Sequence, residues 1–254
     1  MTDVGVFNPM NPIDAVMERA SEMLAATRYF DAATLCVEAL RQARAADDFG
    51  RMARICLPLQ EARRWIRQEA LDTGVVHVVG STKDLPDQIT PGCYLVQPPL
   101  VGIDARQLRH RVWEGGVPVF VLCREPMNRA GEWPIVGVGD RIARVRIEPP
   151  EQAERVEGEG RPMTGDRLTG PISSDWFAEA GEALGDRAIV DAKASAEPED
   201  PLAWHVDDLL DYIEACPEHE KLLQALARTC KAAIGTATPE DRRRRRGQDN
   251  PFSF

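Results

Sequence analysis

The chain is poor in the residues that do chemistry in concert. Among 254 residues there are only four histidines, His77, His110, His205 and His219, and six cysteines, with no CxxC pair. Thiols scattered singly through apolar patterns exclude a zinc-ribbon or dithiol redox motif and suggest buried free cysteines in a reducing cytoplasm. No uninterrupted apolar run of about 18 residues is present, so no membrane span is expected. The opening MTDVGVFNPMNP also lacks the basic-then-apolar order of a secretory signal. Gly80-Ser81-Thr82-Lys83 is not a phosphate-binding P-loop, because the second glycine and the GK[ST] order are missing. With no serine or cysteine in a nucleophile motif, no nucleophile–base constellation is expected, and neither catalytic residues nor a cofactor nor a metal site is assigned.

What is present is a chain able to bury a core, with 43% hydrophobic residues. Its net charge of −10 is uneven: residues 151–235 carry a formal −11, whereas residues 73–150 carry +1. A generic nucleic-acid footprint over the body is therefore excluded.

Asn11-Pro12 is a helix start, since Asn caps free amides and proline at the first position loses no needed bond. Ile13, Val16, Met17, Ala20, Met23 and Leu24 then form one apolar face. After a turn near Thr27-Arg28, Ala32, Leu35, Cys36, Ala39, Leu40 and Ala43 form another. The run Thr27-Arg28-Tyr29-Phe30-Asp31-Ala32, with Ala39-Leu40 and Ala20, resembles a tetratricopeptide repeat, in which small residues let two helices approach closely. The resemblance covers residues 12–72, with a partial second copy from Asp48-Phe49. Val16 stands where the family has a large aromatic, and Thr27 where it has glycine. Such units bury their faces on neighbours, so this segment is expected to pack on the middle of the chain. A third helix over 49–71 should kink at Pro58. Its exposed side is read as carrying Arg63, Arg64 and Arg67, the first candidates for partner binding.

From Gly74 the pattern becomes strand-like. Val75–Val79, Cys93–Val96 and Val117–Cys123 are β-branched apolar runs bounded by Gly and Pro. Residues 103–113 between the last two suggest a crossover helix closed by Gly115-Gly116, hence a parallel pair. Trp133–Ile147 reads as two strands joined at Gly137-Val138-Gly139-Asp140. Residues 151–171 read as a linker. A helix capped by Ser173 or Ser174 and ended by Gly185 should follow, then an acidic helix burying Leu202, Val206, Leu209, Leu210 and Ile213. The last helix should start at Pro217 and bury Leu222, Leu223, Leu226, Cys230 and Ile234. Composition makes the remainder a disordered basic tail.

The expected fold is thus α+β, mixed. Its parts are a tetratricopeptide-like helical segment (1–72), a small α/β domain (73–150), the linker (151–171), an acidic helical segment (172–235) and the tail (236–254). In a parallel sheet, ligands favour the loops beyond the strands' carboxyl ends. Ser81, Thr82, Lys83, Gln97 and Arg124 could there cradle a small anion, although polar residues that merely end strands in water are the simpler account. Asp207, Asp208, Asp211 and Glu214 read as the wet face of their helix, and Cys216 with His219 as a pair too small for zinc. In the tail, Arg242, Arg243, Arg244, Arg245 and Arg246 could bind phosphate backbones, and Phe252 and Phe254 resemble a docking peptide. The leading expectation is a cytoplasmic, non-enzymatic protein-interaction adaptor. A small-anion- or nucleotide-binding α/β domain and an RNA-associated factor are the alternatives.

Overall fold

The structure is a computed structural model and describes residues 11–86, 88–156, 165–197 and 199–236. Three helices open it: α1 (Pro12–Ala25), α2 (Tyr29–Ala45) and α3 (Phe49–Asp72). The Asn11 side chain accepts the Ile13 amide at 2.9 Å, as its position before the proline suggested. Alanines make the hairpin tight: Ala20, Ala32, Ala33, Ala39 and Ala43 are all buried between helices. The two helix–helix turns are built alike. Arg28 N–H reaches the Met23 carbonyl and Asp48 N–H the Ala43 carbonyl, both at 2.8 Å, while Thr27 (φ 60°) and Asp47 (φ 51°) take the left-handed conformation between helices. Helix α3 continues through Pro58 to Asp72.

The middle of the chain forms a five-stranded sheet: β1 (Val76–Val79), β2 (Gly92–Val96), β3 (Val119–Arg124), β4 (Trp133–Val138) and β5 (Ile142–Ile147). They lie in that order, with β1, β2 and β3 parallel and the last two pairings antiparallel. The strand period divides the side chains between two cores. Tyr94, Val96, Val119, Val121 and Cys123 meet α4 (Gly102–Glu114), which buries Ala105, Leu108 and Val112. Cys93, Leu95, Phe120 and Leu122 face the other way, into the main core shared with the helices at both ends of the chain.

The stretch read as a linker contains a short antiparallel pair, β6 (Ala153–Val156) and β7 (Gly165–Leu168). Three helices follow: α5 (Ser174–Ala194), α6 (Leu202–Ala215) and α7 (Glu220–Ala233). Ser173 caps α5 through the Trp176 amide. Gly185, expected to end that helix, instead lies within it, because α5 presses its glycines against neighbours. A Cβ at Gly181 would fall 2.4 Å from Phe120 Cζ, and one at Gly185 2.0 Å from His219 Cγ. The last helix begins at Glu220 rather than Pro217, its first turn capped by His219 Nδ1 accepting the Leu222 amide at 3.2 Å. Ile234, expected inside, lies past the helix end and is exposed.

The N-terminal helices are covered only partly by the sheet. Cys93 lies under Ala70 and Phe120 under Arg67, at the far end of α3. Along much of its length α3 packs instead on α7, from the opposite end of the chain.

The acidic face of α6 is not the wet surface its pattern suggested. Asp207 grips Arg44 of α2 at 2.6 and 3.0 Å, and Asp208, only 4% exposed, receives Arg141 of the β4–β5 turn at 3.1 Å. Asp211 is 8% exposed, and only Glu214 of the four is solvent-facing. Helical periodicity marks the side opposite the apolar stripe, but here that side is itself covered by arginines from two other segments.

Candidate functional site

The parallel strands bring the expected anion cradle together in part. Val79, Val96 and Cys123 stand in register, so the following residues Gly80, Gln97 and Arg124 adjoin. Arg124 Nη2 donates to Gln97 Oε1 at 2.6 Å, and its guanidinium lies 4.2 Å from the Trp133 ring centre. The amides an anion would use are already taken. Asp84 Oδ2 accepts Gly80 N–H at 2.8 Å and Ser81 N–H at 2.7 Å, and these bonds hold its carboxyl below the usual range. Thr82 and Lys83 are exposed on the short 3-10 turn that this carboxylate closes. Arg124 itself is 4% exposed, so it serves the carboxyl end of the central strand rather than an open pocket.

The three arginines of α3 part company. Arg63 and Arg67, read as exposed, point inward: Arg63 Nη1 donates to the Pro217 carbonyl at 3.1 Å and Arg67 Nη1 to Glu182 at 2.6 Å. The apolar face of α3 is shared among α2, α7 and the sheet, which leaves these positions facing the C-terminal helices. Arg64 alone remains on the surface, where it joins an aromatic group. Its guanidinium lies 5.6 Å from the Trp65 ring centre, and Trp65 stacks on Tyr29 at 5.7 Å with the planes 9° apart. Glu61 fixes both partners, accepting Arg64 at 2.7 Å and Trp65 Nε1 at 2.9 Å. Leu57, on the same helix, is 70% exposed. Arg242 to Arg246, Phe252 and Phe254 lie outside the described residues.

Adjacent to this patch opens a cleft of about 550 Å³ between α2, α3 and α4. Phe30 and Trp113 meet across it edge to face, 5.1 Å between ring centres. Its apolar lining is supplied by Val37, Ile66, Val112, Val117 and Val119. Arg41, Arg63, Arg106, Arg109 and His110 supply cations or donors, against Glu38, Glu214 and Glu218. Three of the arginines clasp the connection between α6 and α7. Arg106 reaches Glu214 at 3.4 Å, Arg109 donates to the Ala215 and Val138 carbonyls at 2.9 Å each, and Arg63 holds Pro217. Arg109 thus satisfies a carbonyl left over at the end of α6. Gly137 and Gly139 explain their place in the hairpin here. A Cβ on either would come within 2.6 Å of the Ala215 backbone, so only glycine lets the β4–β5 turn touch α6.

Of the cleft residues, only Arg63 was singled out from sequence as a binding candidate. A usable signal for the rest lay on α2, where Phe30, Thr34, Val37, Glu38 and Arg41 follow helical spacing on a face its buried alanines leave free. Nothing in the sequence placed that face opposite α4.

Among the described residues no group of His, Cys, Asp and Glu could hold a metal ion, and no helix is long and apolar enough to cross a membrane. No family model, curated protein or solved structure matches the chain.

Proposed function

We propose that the chain is a cytoplasmic, non-enzymatic interaction protein, and that its partner docks on the exposed Leu57, Arg64 and Trp65, with half-buried Tyr29 behind them. The observation that carries this reading is the preorganised pair Arg64 and Trp65, both held by Glu61 and backed by Tyr29. Tryptophan, tyrosine and arginine dominate the energetics of protein interfaces, and side chains already fixed lose less entropy on binding. The patch lies in the segment that resembles a tetratricopeptide repeat, and a protein partner is part of the same proposal. Six buried cysteines with no disulfide accord with a reducing compartment.

The test compares what co-purifies with the intact chain and with Leu57→Glu and Trp65→Ala variants. Both sites are surface-exposed, so folding should survive, as circular dichroism would verify. The reading expects a defined partner to be lost with either substitution and kept with Val190→Glu, a remote exposed site on α5. An unchanged set of proteins with all three variants would rule it out.

A further inference from the structure

The cleft is walled on three sides by elements whose own packing does not need it. Helix α2 lines it from Phe30 to Arg41, a length of roughly 16 Å at 1.5 Å per residue. A volume of about 550 Å³ lies within the range of small-molecule sites, and an apolar lining with a few fixed polar groups is their usual composition.

Arg63 gives the site a chemical preference. Its Nε is buried with no hydrogen-bond partner among the described residues, and Nη1 is committed only to the Pro217 carbonyl. No carboxylate stands within ion-pair distance of it among the described residues. Burial pushes its pKa down, and the carboxylate of Glu218, beyond ion-pair distance, offsets this only in part. Nε itself is enclosed, so a ligand in the cleft would meet the terminal nitrogens, and a desolvated guanidinium is costly unless something accepts from it. Arg41, on the exposed rim of the same cleft, is likewise without an ion-pair partner among the described residues.

The lining also limits the charge of what enters. Four arginines face three glutamates, and of these Glu214 is paired with Arg106 while Glu38 accepts from Gln42 at 3.1 Å. The surplus is one positive charge. A singly charged anion balances it, whereas a dianion would meet repulsion from Glu38 and Glu218. A carboxylate also matches the planar guanidinium fork with two parallel hydrogen bonds. The aromatic pair and the valines offer the remaining volume to an apolar body.

We infer that the cleft of α2, α3 and α4 binds an amphiphilic monocarboxylate, its carboxylate against Arg63 and its apolar chain or ring along Val37, Ile66, Val112 and the Phe30–Trp113 pair. This site is separate from the aromatic patch proposed for the partner, so either can stand if the other fails.

Decanoate is the first probe, used below its micellar range, with 4-phenylbutyrate as the aromatic counterpart. Binding to the full chain is followed by calorimetry and by tryptophan fluorescence. Saturable one-to-one binding is expected for at least one of the two. The uncharged 1-decanol and the dianionic decyl phosphate should each bind at least about ten-fold more weakly. Arg63→Met should weaken the carboxylate about ten-fold or more while leaving 1-decanol nearly unchanged. Thr34→Phe, which places a bulky uncharged side chain into the cleft from the exposed face of α2, should abolish binding with the melting temperature preserved. No saturable binding of either carboxylate, or binding indifferent to Thr34→Phe, would overturn the site. Equal affinity for decanoate and 1-decanol would overturn the role of Arg63, and tighter binding of decyl phosphate would overturn the monoanion assignment.

Discussion

Gly185 and His219 share a space that no side chain at position 185 could enter, for a Cβ there would lie 2.0 Å from the imidazole Cγ. The ring cannot give way cheaply. Its Nδ1 accepts the Leu222 amide at 3.2 Å, and Nε2 stands 3.2 Å from Asp186 Oδ1 and 3.4 Å from Glu182 Oε2. Within a helix Gly185→Ala would ordinarily gain about 1 kcal/mol. Here overpacking should outweigh that gain, for a net loss of about 2 kcal/mol in urea denaturation. A stability equal to or above that of the parent would show that α5 and α7 are not so closely apposed.

Thr27 offers the reverse case. Its φ of 60° lies in the left-handed region, which a β-branched residue adopts at a cost and glycine adopts freely. Thr27→Gly should therefore stabilise the chain by about 1 kcal/mol, measured as a higher denaturation midpoint. Asp47, at the matching place in the second turn, tolerates this conformation better. Asp47→Gly should gain less, and a reversed order would contradict the turn geometry.

Glu182 should govern part of the acid limb. His219 at 3.4 Å and Arg67 at 2.6 Å hold its carboxyl down at about 2. Because the folded state favours the ionised form, the stabilisation is complete above about pH 4.5 and is lost as pH falls towards about 2. Its side chain is 35% exposed, and solvent screening leaves the contribution at about 1–2 kcal/mol. Glu182→Gln should cost that much at pH 7 and flatten the decline in acid. An unaltered slope in urea titrations between pH 4.5 and 2.5 would count against the arrangement.

Arg63 should be a poor contributor to stability. Its charge is desolvated, its Nε lacks a partner among the described residues, and its one hydrogen bond goes to a carbonyl. Arg63→Met, similar in length and apolar, should change the unfolding free energy by no more than about 1 kcal/mol in either direction. A loss of 3 kcal/mol or more, the order typical of breaking a buried ion pair, would mean that it has a structural counter-charge.

Local signals were legible wherever one segment carried both the cause and the effect. Asn11 before Pro12, the alanines of the hairpin, and the β-branched runs of β2 and β3 around a helical insert each specify an element through contacts within or next to that element. The parallel β2–β3 pair and the antiparallel β4–β5 turn follow from the same short-range rules. Gly185 misled because a helical glycine signals an end only when backbone freedom is the reason for it. Here the reason is a ring from thirty-four residues further on. Asp208 and Asp211 misled likewise, since a polar stripe does not reveal which distant arginine will cover it.

By itself the sequence determined most of the helices, the five strands of the sheet, the mixed α+β composition and the tight helical hairpin, because propensity, capping and apolar periodicity act over a few residues. Only the tertiary structure decided that α7 lies along α3 and that Arg63 and Arg67 turn inward while Arg64 stays out. It also decided that α2 and α4 stand apart far enough to leave a cleft. Those outcomes depend on how amphipathic faces from opposite ends of the chain share one core, and many pairings of such faces would satisfy the same local pattern.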